Sequence, residues 1–231
     1  MRKFIIILLD DILVFSIDLQ EHEEHLRLTL NLLREHQLFA KESKCSFAHR
    51  SIEYLGHVIS KDGVATDPEK TQAMVAWPTP TTATERRGFL GLTGYYRKFI
   101  AHYGIIAKPL TSLLTKKGFK WTEKAQVAFD LLKRAMVTAP VLALPDFARP
   151  FAIETDACDT GVGAVLAQEG HPVAFLSKAL GVRNQKLSAY EKEFIAIMMA
   201  SKSGVHTCNG ARSPSSRITK ASATCKISSS P

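Results

Sequence analysis

Cysteine is scarce in this 231-residue sequence. Only Cys45, Cys158, Cys208 and Cys225 occur, and no two of them have CxxC spacing. Zinc motifs and disulfide frameworks need closely patterned cysteines, so we interpret these four as reduced thiols. Long apolar runs are also missing, since none reaches the ~18 residues of a membrane span. The run from Ile5 to Leu9 is too short for a signal peptide and is followed at once by acids. These absences predict an intracellular protein with no membrane partner.

Acidic residues are missing from the end of the chain. From Ser201 onward there are five bases and no acid, which accounts for five of the net charge of +8. The remainder has 25 bases and 22 acids. A basic balance favours a polyanionic partner, but here it is largely a property of the tail. The composition, 45% hydrophobic and 23% charged, is that of one large or two small globular domains.

Hydrophobic periodicity predicts helices in the middle of the chain and short strands on either side. Predicted strands are Lys3 to Leu9, Ile12 to Ser16 and Ser51 to Ile59, then Phe151 to Thr155, Gly161 to Gln168 and Val173 to Leu176. Predicted helices are His22 to Leu38, one starting at Asp67, one from about Thr84, Ile105 to Leu114, one capped by Thr122, and Leu187 to Ala200. Lys116 to Gly118 is predicted to be a hinge.

Asp10 and Asp11 lie between the first two predicted strands. At a hairpin tip both carboxylates can approach one point, where they raise each other's pKa. A divalent cation removes that cost, since it favours hard carboxylate oxygens. Two such cations ~3.5–4 Å apart catalyse in-line phosphoryl displacement. The alternative is a solvated Asp-Asp turn, which the dipeptide alone favours.

Longer motifs favour the cation site. The stretch "DDILVFSIDLQEHEEHLRLTLNLLREHQL" resembles the acidic hairpin and following helix of reverse transcriptases. "KCSFAHRSIEYLGHVIS" is similar to their primer grip, and "TDPEKTQAMVAWPTPTTATERRGFLGLTGYYRKFIAHYGIIAKPLTSLLTKK" to the thumb and connection of gypsy-type LTR-retrotransposon polyproteins. "FDLLKRAMVTAPVLALPDFARPFAIETDACDTGVGAVLAQEGHPVAFLSKAL" looks like the start of their RNase H domain. The resemblance covers about residues 1 to 200, with the motifs in the family's order.

The resemblance implies an α+β chain built from parts of two enzymes. Residues 1–65 match the end of the polymerase palm with its primer grip, and 66–118 the thumb and connection helices. Residues 119–200 match the first half of a mixed α/β RNase H-like domain. The fingers, and the palm strand with a third metal-binding Asp, are expected upstream of Met1, and further polyprotein segments downstream. The family copies RNA into DNA and degrades the RNA of the hybrid in the cytoplasm or a virus-like particle, and enters the nucleus at integration.

In the polymerase part, the resemblance implies that Asp10 and Asp11 bind Mg²⁺ or Mn²⁺, with primer-template as partner. Leu8 stands where the family has an aromatic residue. The primer-grip core is implied to lie at Leu55, Gly56 and His57. Because the fingers and the third Asp are expected upstream, we predict no autonomous polymerase activity.

In the RNase H part, the resemblance implies that Asp156 and Glu193 hold the cations that cleave RNA in an RNA–DNA hybrid. The alternative is that Asp156 is a surface acid at a strand end and Glu193 a solvated helix acid. We expect Asp159 to shape the turn into Gly161 rather than to bind metal. Three interpretations of the chain follow: an incomplete enzyme, a non-catalytic remnant that binds nucleic acid, or a decayed element whose product does nothing.

Basic and aromatic residues alternate in the segment that resembles the thumb. Those expected to contact nucleic acid are Arg86, Arg87, Arg97 and Lys98, beside Tyr95 and Tyr96. The alternative is that the helical spacing of Phe89, Leu92, Tyr96 and Phe99 marks the core of the thumb.

The tail after Ala200 departs from the family, whose members continue with "KWRxYL" and then "TDHxSL", which holds the third RNase H ligand. Codons consistent with Lys202 to Ser230 can be chosen so that reading two bases later gives "KWRPYLQRGEITILTDHQSLCHLQDQQL", which contains both motifs. One deleted base, from GCA GTC CAA AAG to GCA TCC AAA AGT, yields the observed Ala200 to Ser203. We therefore expect residues 201–231 to be a frameshifted tail that is disordered, because a polar segment cannot repay its ordering entropy.

Overall fold

The computed structural model describes residues 4–8, 10–113, 120–209 and 218–223, the last six and 203–209 by backbone alone. The chain divides into two compact units, Met1–Lys61 and Asp62–Pro231. The division falls close to the predicted end of the palm segment at residue 65. The predicted boundary and hinge around residue 118 lie outside the described residues. None of the helices in the described part combines the length and apolar character needed to cross a bilayer.

The first unit consists of two hairpins and one long helix. Its elements are β1 (Ile5–Leu8), β2 (Asp11–Val14), α1 (Leu19–Glu35), a 3-10 turn at Glu42–Lys44, β3 (Ser51–Tyr54) and β4 (His57–Ser60). The single strand predicted from Ser51 to Ile59 is an antiparallel hairpin instead. Leu55 and Gly56 both have positive φ, 50° and 70°, which is the backbone of a tight type I′ turn. The turn was not predicted from the sequence because leucine rarely adopts a positive φ.

Helix α1 begins three residues earlier than predicted because Asp18 caps it. The Asp18 carboxylate accepts a hydrogen bond from the Glu21 backbone N–H at 2.8 Å, and the Glu21 carboxylate accepts one from the Ile17 N–H at 3.1 Å. This reciprocal arrangement satisfies two backbone donors at the start of the helix. It fixes the direction in which the chain leaves β2.

The second unit opens with β5 (Gly63–Thr66), which bridges to Leu142 by paired backbone hydrogen bonds of 2.8 Å. Its first helices are α2 (Pro68–Val75), α3 (Ala83–Tyr95), a 3-10 turn at Arg97–Phe99, α4 (Tyr103–Ile106), α5 (Lys108–Ser112) and α6 (Glu123–Val137). Asp67 and Thr122 cap α2 and α6 as predicted. The predicted helix from Ile105 to Leu114 is two short helices. Proline restricts the residue before it, and Pro109 lies in the first turn of the second one.

The helices share an apolar core centred on Phe89 and Phe129, whose rings lie 4.5 Å apart. Both residues are buried, and each lies on the apolar face of an amphipathic helix. Trp121 meets Phe129 edge to face at 5.8 Å. This packing joins α3 of the predicted thumb to α6 of the predicted RNase H segment.

A four-stranded sheet follows, with strand order β8-β7-β6-β9. Its elements are β6 (Phe151–Ala157), β7 (Gly161–Gln168), β8 (His171–Ala179), α7 (Val182–Gln185), α8 (Ala189–Asn209) and β9 (Ile218–Ala223). The first three strands are antiparallel, and β9 pairs parallel to β6. Alternate residues of a strand point to opposite faces, and Ile153 and Ala164 pack with Ala200 of α8 on one face.

The opposite face of the sheet receives the segment between the 3-10 turn and α5. The Gly104 N–H donates to the Ser177 hydroxyl at 2.8 Å, and the Lys108 ammonium donates to the Leu180 carbonyl at 2.8 Å. Ile105 packs so closely on Gly161 that no side chain would fit there. The predicted connection and the predicted RNase H strands therefore form one packed body.

The tail differs from its expected disorder wherever the structure describes it. Helix α8 continues to Asn209, and Ile218–Ala223 forms a strand beside β6. A nucleated helix gains one hydrogen bond for each added residue, and the edge of β6 offers unpaired backbone groups to any extended segment. The other parts of the tail, 210–217 and 224–231, lie outside the described residues.

Candidate functional site

The Asp10–Asp11 pair lies at the tip of the first hairpin. Asp11 opens β2, where it pairs with Leu8 of β1, and Asp10 lies in the turn before it. Both acids are exposed. Leu8 is 49% exposed, so the position where the family has an aromatic residue lies on the surface. The hairpin thus presents two carboxylates to solvent, as the hypothesis of a cation site requires.

Polar and ring contacts from α1 hold the end of this hairpin. The Ser16 hydroxyl is 2.8 Å from His25 Nδ1 and 3.2 Å from His22 Nδ1. The His25 ring stacks on Phe4 with 3.8 Å between centroids and 4° between planes. The EHxxH spacing in the sequence therefore has a structural explanation, because residues three apart share a helix face.

The hairpin β3–β4 carries the predicted primer-grip residues at its turn. Leu55 is exposed, and Gly56 and His57 are half-buried. Tyr54, just before the turn, has a buried hydroxyl. Its burial, and to a lesser degree the charge of Asp11, raise the pKa of Tyr54 above its usual value. The electrostatic effect links β3 to the acidic hairpin within the first unit.

In the second unit, Asp156 lies near the C-terminal end of β6 and is exposed. It pairs with Gly163 of β7, on the face opposite α8. Glu193 lies on the first turns of α8 and is half-buried. The structure thus places these two acids on the strand and helix where the sequence predicted them.

An ion pair between a buried lysine and an exposed aspartate ties the elements that carry these acids. The Lys192 ammonium donates to Asp159 Oδ1 at 2.7 Å; the Lys192 side chain is 7% exposed and that of Asp159 95%. This hydrogen bond and the charge of Lys192 lower the pKa of Asp159. Asp159 thus anchors the turn after β6 to α8, beyond the turn-shaping role predicted for it. The role of Lys192 was not predicted from the sequence, because a lysine between two glutamates is typical of a solvated helix face.

The basic residues of the predicted nucleic-acid surface separate into two groups. Arg87, Arg97 and Lys98 are exposed, but Arg86 is buried at 1%. The prediction that Arg86 contacts nucleic acid is therefore wrong, because its guanidinium faces the protein interior. Burial, together with the charge of Arg87, lowers the Arg86 pKa. Tyr96 and Phe99 belong to a buried cluster. For these two residues the alternative interpretation, that their spacing marks the core of the thumb, therefore holds.

Three or more His, Cys, Asp or Glu side chains never come close enough to hold a metal ion in the described ranges. The sequence also contains no acid after Glu193. The adjacent Asp10 and Asp11 offer oxygen donors at one hairpin tip, whereas Asp156 lies on the sheet face opposite α8 and Glu193 lies on α8 itself. A cation at any of these acids would take its remaining ligands from water or substrate.

Comparisons with known proteins match the same segments. Residues 1–59 match the family described as reverse transcriptase (RNA-dependent DNA polymerase), and residues 121–213 match the RNase H-like domain found in reverse transcriptase. The Pol polyprotein of Drosophila melanogaster transposon 297 is 42% identical over 208 residues, covering 89% of this chain and 20% of the relative. An uncharacterized mitochondrial protein of Arabidopsis thaliana is 54% identical over 129 residues, covering 55% of this chain and 82% of the relative.

Solved structures agree on the fold. Foamy viral protease–reverse transcriptase in complex with double-stranded DNA superposes with a TM-score of 0.84 at 23% identity, covering 89% of this chain and 37% of that one. The same viral protein in complex with RNA/DNA hybrid gives 0.83. The fold is therefore that of a reverse transcriptase joined to an RNase H-like domain.

The chain belongs to the Pol polyproteins of retrotransposons, in the group that includes gypsy and opus of Drosophila melanogaster. It carries reverse transcriptase and RNase H-like segments. It spans about a fifth of the length of the transposon polyproteins that it matches. Both enzyme families generally use divalent metals.

Proposed function

We propose that this chain supplies part of an RNA-directed DNA polymerase and part of its RNase H, with carboxylates at two separate places serving as cation ligands. Asp10 and Asp11 would serve polymerisation, and Asp156 and Glu193 would serve cleavage of the RNA in an RNA–DNA hybrid. The observation that carries the proposal is the exposed Asp156 at the end of β6, with Glu193 on the helix that follows the antiparallel strands. The matching family segments support it.

The donor chemistry fits Mg²⁺ or Mn²⁺, because carboxylate oxygens are their preferred protein ligands. When bound in pairs, such cations stabilise the attacking and leaving oxygens of an in-line phosphoryl displacement. The described residues supply two of the three carboxylates that the family resemblance implies for each activity. We therefore propose that the chain binds cations and nucleic acid but neither extends a primer nor cleaves a hybrid by itself.

Divalent cation binding tests the ligand assignment directly. Mn²⁺ bound to the whole chain can be counted from the loss of the free-ion electron paramagnetic resonance signal. We expect Asp11→Asn and Asp156→Asn each to remove one weak site and to leave the other. The control is Glu24→Gln on the exposed side of α1. Unchanged Mn²⁺ binding in both Asp variants would refute the assignment.

Activity assays separate an incomplete enzyme from a complete one. The chain is incubated with a labelled RNA–DNA hybrid, and separately with primer-template and nucleotides, in Mg²⁺ and in Mn²⁺. We expect no product in either assay. Hybrid cleavage that disappears in Asp156→Asn would show that two carboxylates suffice, and primer extension would contradict the proposed lack of polymerase activity.

A second candidate function is nucleic-acid binding without catalysis. A cavity of about 630 Å³ is lined by residues of the connection, the sheet and the helix α8, and its lining includes Arg97, Lys98 and Lys178. All three cations are exposed, and they suit a phosphate backbone. Binding of an RNA–DNA hybrid should weaken as salt rises, and neutralising any one of these side chains should reduce the salt slope by about one. A charge-removing triple variant that binds as tightly as the parent would exclude this surface.

We also propose that the segment after Ala200 is read from a shifted frame. The recovery of "KWRPYL" and "TDHQSL" in one alternative frame supports this, as does the absence of any acid after Glu193. Sequencing of genomic DNA and transcript across codons 198 to 206 and onward tests it. DNA that encodes neither motif in any frame would end the frameshift explanation, and the basic tail would then need a function of its own.

A further inference from the structure

His102 occupies a strained position immediately before α4. Its backbone is left-handed, with φ 58° and ψ 19°, a conformation in which histidine is one of the more tolerated residues other than glycine. The His102 carbonyl accepts hydrogen bonds from the N–H groups of Ile105 at 2.9 Å and Ile106 at 3.0 Å. The side chain is exposed, yet its direction is fixed by this turn.

The imidazole lies directly against Gly163 of the sheet. A Cβ atom built on Gly163 would lie 3.2 Å from His102 Nδ1 and 3.3 Å from Cε1. The ring thus lies close enough that a Cβ at residue 163 would push it away by a few tenths of an ångström. Glycine at this strand position lets a histidine 61 positions earlier in the chain reach the sheet surface.

Gly163 is also the strand partner of Asp156. Directly opposed residues of an antiparallel pair point to the same face, with Cβ positions about 4.5–5.5 Å apart. The imidazole therefore lies against the strand partner of Asp156, on the face of the sheet to which the Asp156 side chain points. Both side chains are exposed, so a solvated ion can reach the space in front of them.

We propose that His102 and Asp156 together bind one divalent cation, with water in the remaining positions. The proposal rests on the proposed role of Asp156 as a cation ligand. A nitrogen donor changes the selectivity of that site. Imidazole suits the later first-row metals, whereas Mg²⁺ is bound by oxygen. A cation such as Co²⁺ would therefore use both side chains, and Mg²⁺ would use Asp156 without the imidazole.

Co²⁺ and Mg²⁺ titrations of the whole chain test the pair, followed by calorimetry and by the histidine ring signals in nuclear magnetic resonance spectra. In the parent chain the His102 signals should shift or broaden with the first equivalent of Co²⁺, before those of His171. Asp156→Asn and His102→Asn should each lower Co²⁺ affinity by about tenfold or more. Mg²⁺ affinity should fall in Asp156→Asn only.

Three further variants serve as controls. His171→Asn, at the turn between β7 and β8, should leave Co²⁺ affinity unchanged, and so should Cys158→Ser, which removes the nearby exposed thiol. Gly163→Ala keeps both ligands but displaces the ring, so it should lower Co²⁺ affinity. Asparagine tolerates the left-handed backbone, and thermal unfolding of each variant verifies that it is folded.

The outcomes distinguish this inference from the function on which it rests. Weaker Co²⁺ binding in Asp156→Asn with no change in His102→Asn and Gly163→Ala would overturn the role of His102 and leave the carboxylate site intact. Unchanged binding of both cations in Asp156→Asn would overturn the carboxylate site itself. Weaker Co²⁺ binding in all three variants, with Mg²⁺ affected only by the loss of Asp156, supports the shared site.

Discussion

Gly104 and Gly91 form a matched pair that tests how firmly the connection is docked on the RNase H-like sheet. Both are helical glycines, in α4 and α3. A Cβ on Gly104 would lie 2.7 Å from the Ser177 carbonyl oxygen and 3.2 Å from the Lys178 Cα. A Cβ on Gly91 would meet nothing within 4 Å. The same alanine substitution thus enters a backbone contact at one site and open space at the other.

Two contributions determine how each alanine substitution changes the free energy of unfolding. Alanine in place of glycine stabilises a helix by roughly 0.5–1 kcal/mol, and this term is shared. Overpacking costs about 1–3 kcal/mol and applies to Gly104 alone, where the obstructing atoms are backbone and cannot rotate away. Gly91→Ala should therefore raise the free energy of unfolding, and Gly104→Ala should lie about 1–3 kcal/mol below it.

Urea and thermal unfolding of the whole chain, followed by circular dichroism, measure the difference. For a body of this size, 1 kcal/mol corresponds to about 2–4 °C in Tm. The comparison between the variants cancels the helix term and isolates the contact with β8. Equal stability of the two variants would refute the docked arrangement of α4 on the sheet. It would also weaken the basis for placing His102 beside Asp156.

Three other predictions concern the second unit. Phe129→Ala should lower its stability by about 3–5 kcal/mol in urea unfolding, and a loss below about 1 kcal/mol would contradict the shared aromatic core. Burial raises the pKa of Tyr96 to about 12, so its stabilisation should be complete below pH ~10 and lost as the pH rises toward 12; ultraviolet titration against Tyr96→Phe measures this. Lys192 lowers the Asp159 pKa, so the stabilisation exists above the ordinary Asp pKa and is lost as the pH falls. Lys192→Met should therefore reduce the acid dependence of unfolding, and an unchanged pH profile would exclude the ion pair in solution.

Local chemistry made the starts of α2 and α6 predictable. Asp67 before a proline and Thr122 before an acid are side-chain caps, and both accept hydrogen bonds from the first turn of their helices. Thr82 extends the same principle with Glu85 as a reciprocal capping box. These signals lie within four residues of each other, so a single sequence contains all the information that they need.

Residues whose environment depends on distant segments were not predictable in the same way. Arg86 is a residue type that usually lies on the surface, yet here it is buried. Lys192 looks solvated but makes a 2.7 Å bond to a residue 33 positions away. His102 gains its candidate role only from the register that pairs Gly163 with Asp156. Spacing in a sequence identifies which face a side chain occupies, but the packing of remote elements decides what that face meets.

The strand that the tail adds to the sheet bears on the proposed lack of RNase H activity. In the structure β6 pairs with β7 on one side and with β9 on the other, and the sequence of β9 is ITKASA. A parallel neighbour of β6 is the element that could bring a further carboxylate next to Asp156, yet the chain has no acid after Glu193 in any register. Under the proposed role of Asp156 as a cation ligand, it is composition and not strand placement that keeps a further carboxylate from this position. The alternative frame reads "ITILTDHQSL", in which β-branched residues precede an acid. We expect a restored frame to form a strand with its carboxylate at the end nearest Asp156, which would complete the proposed set of three ligands.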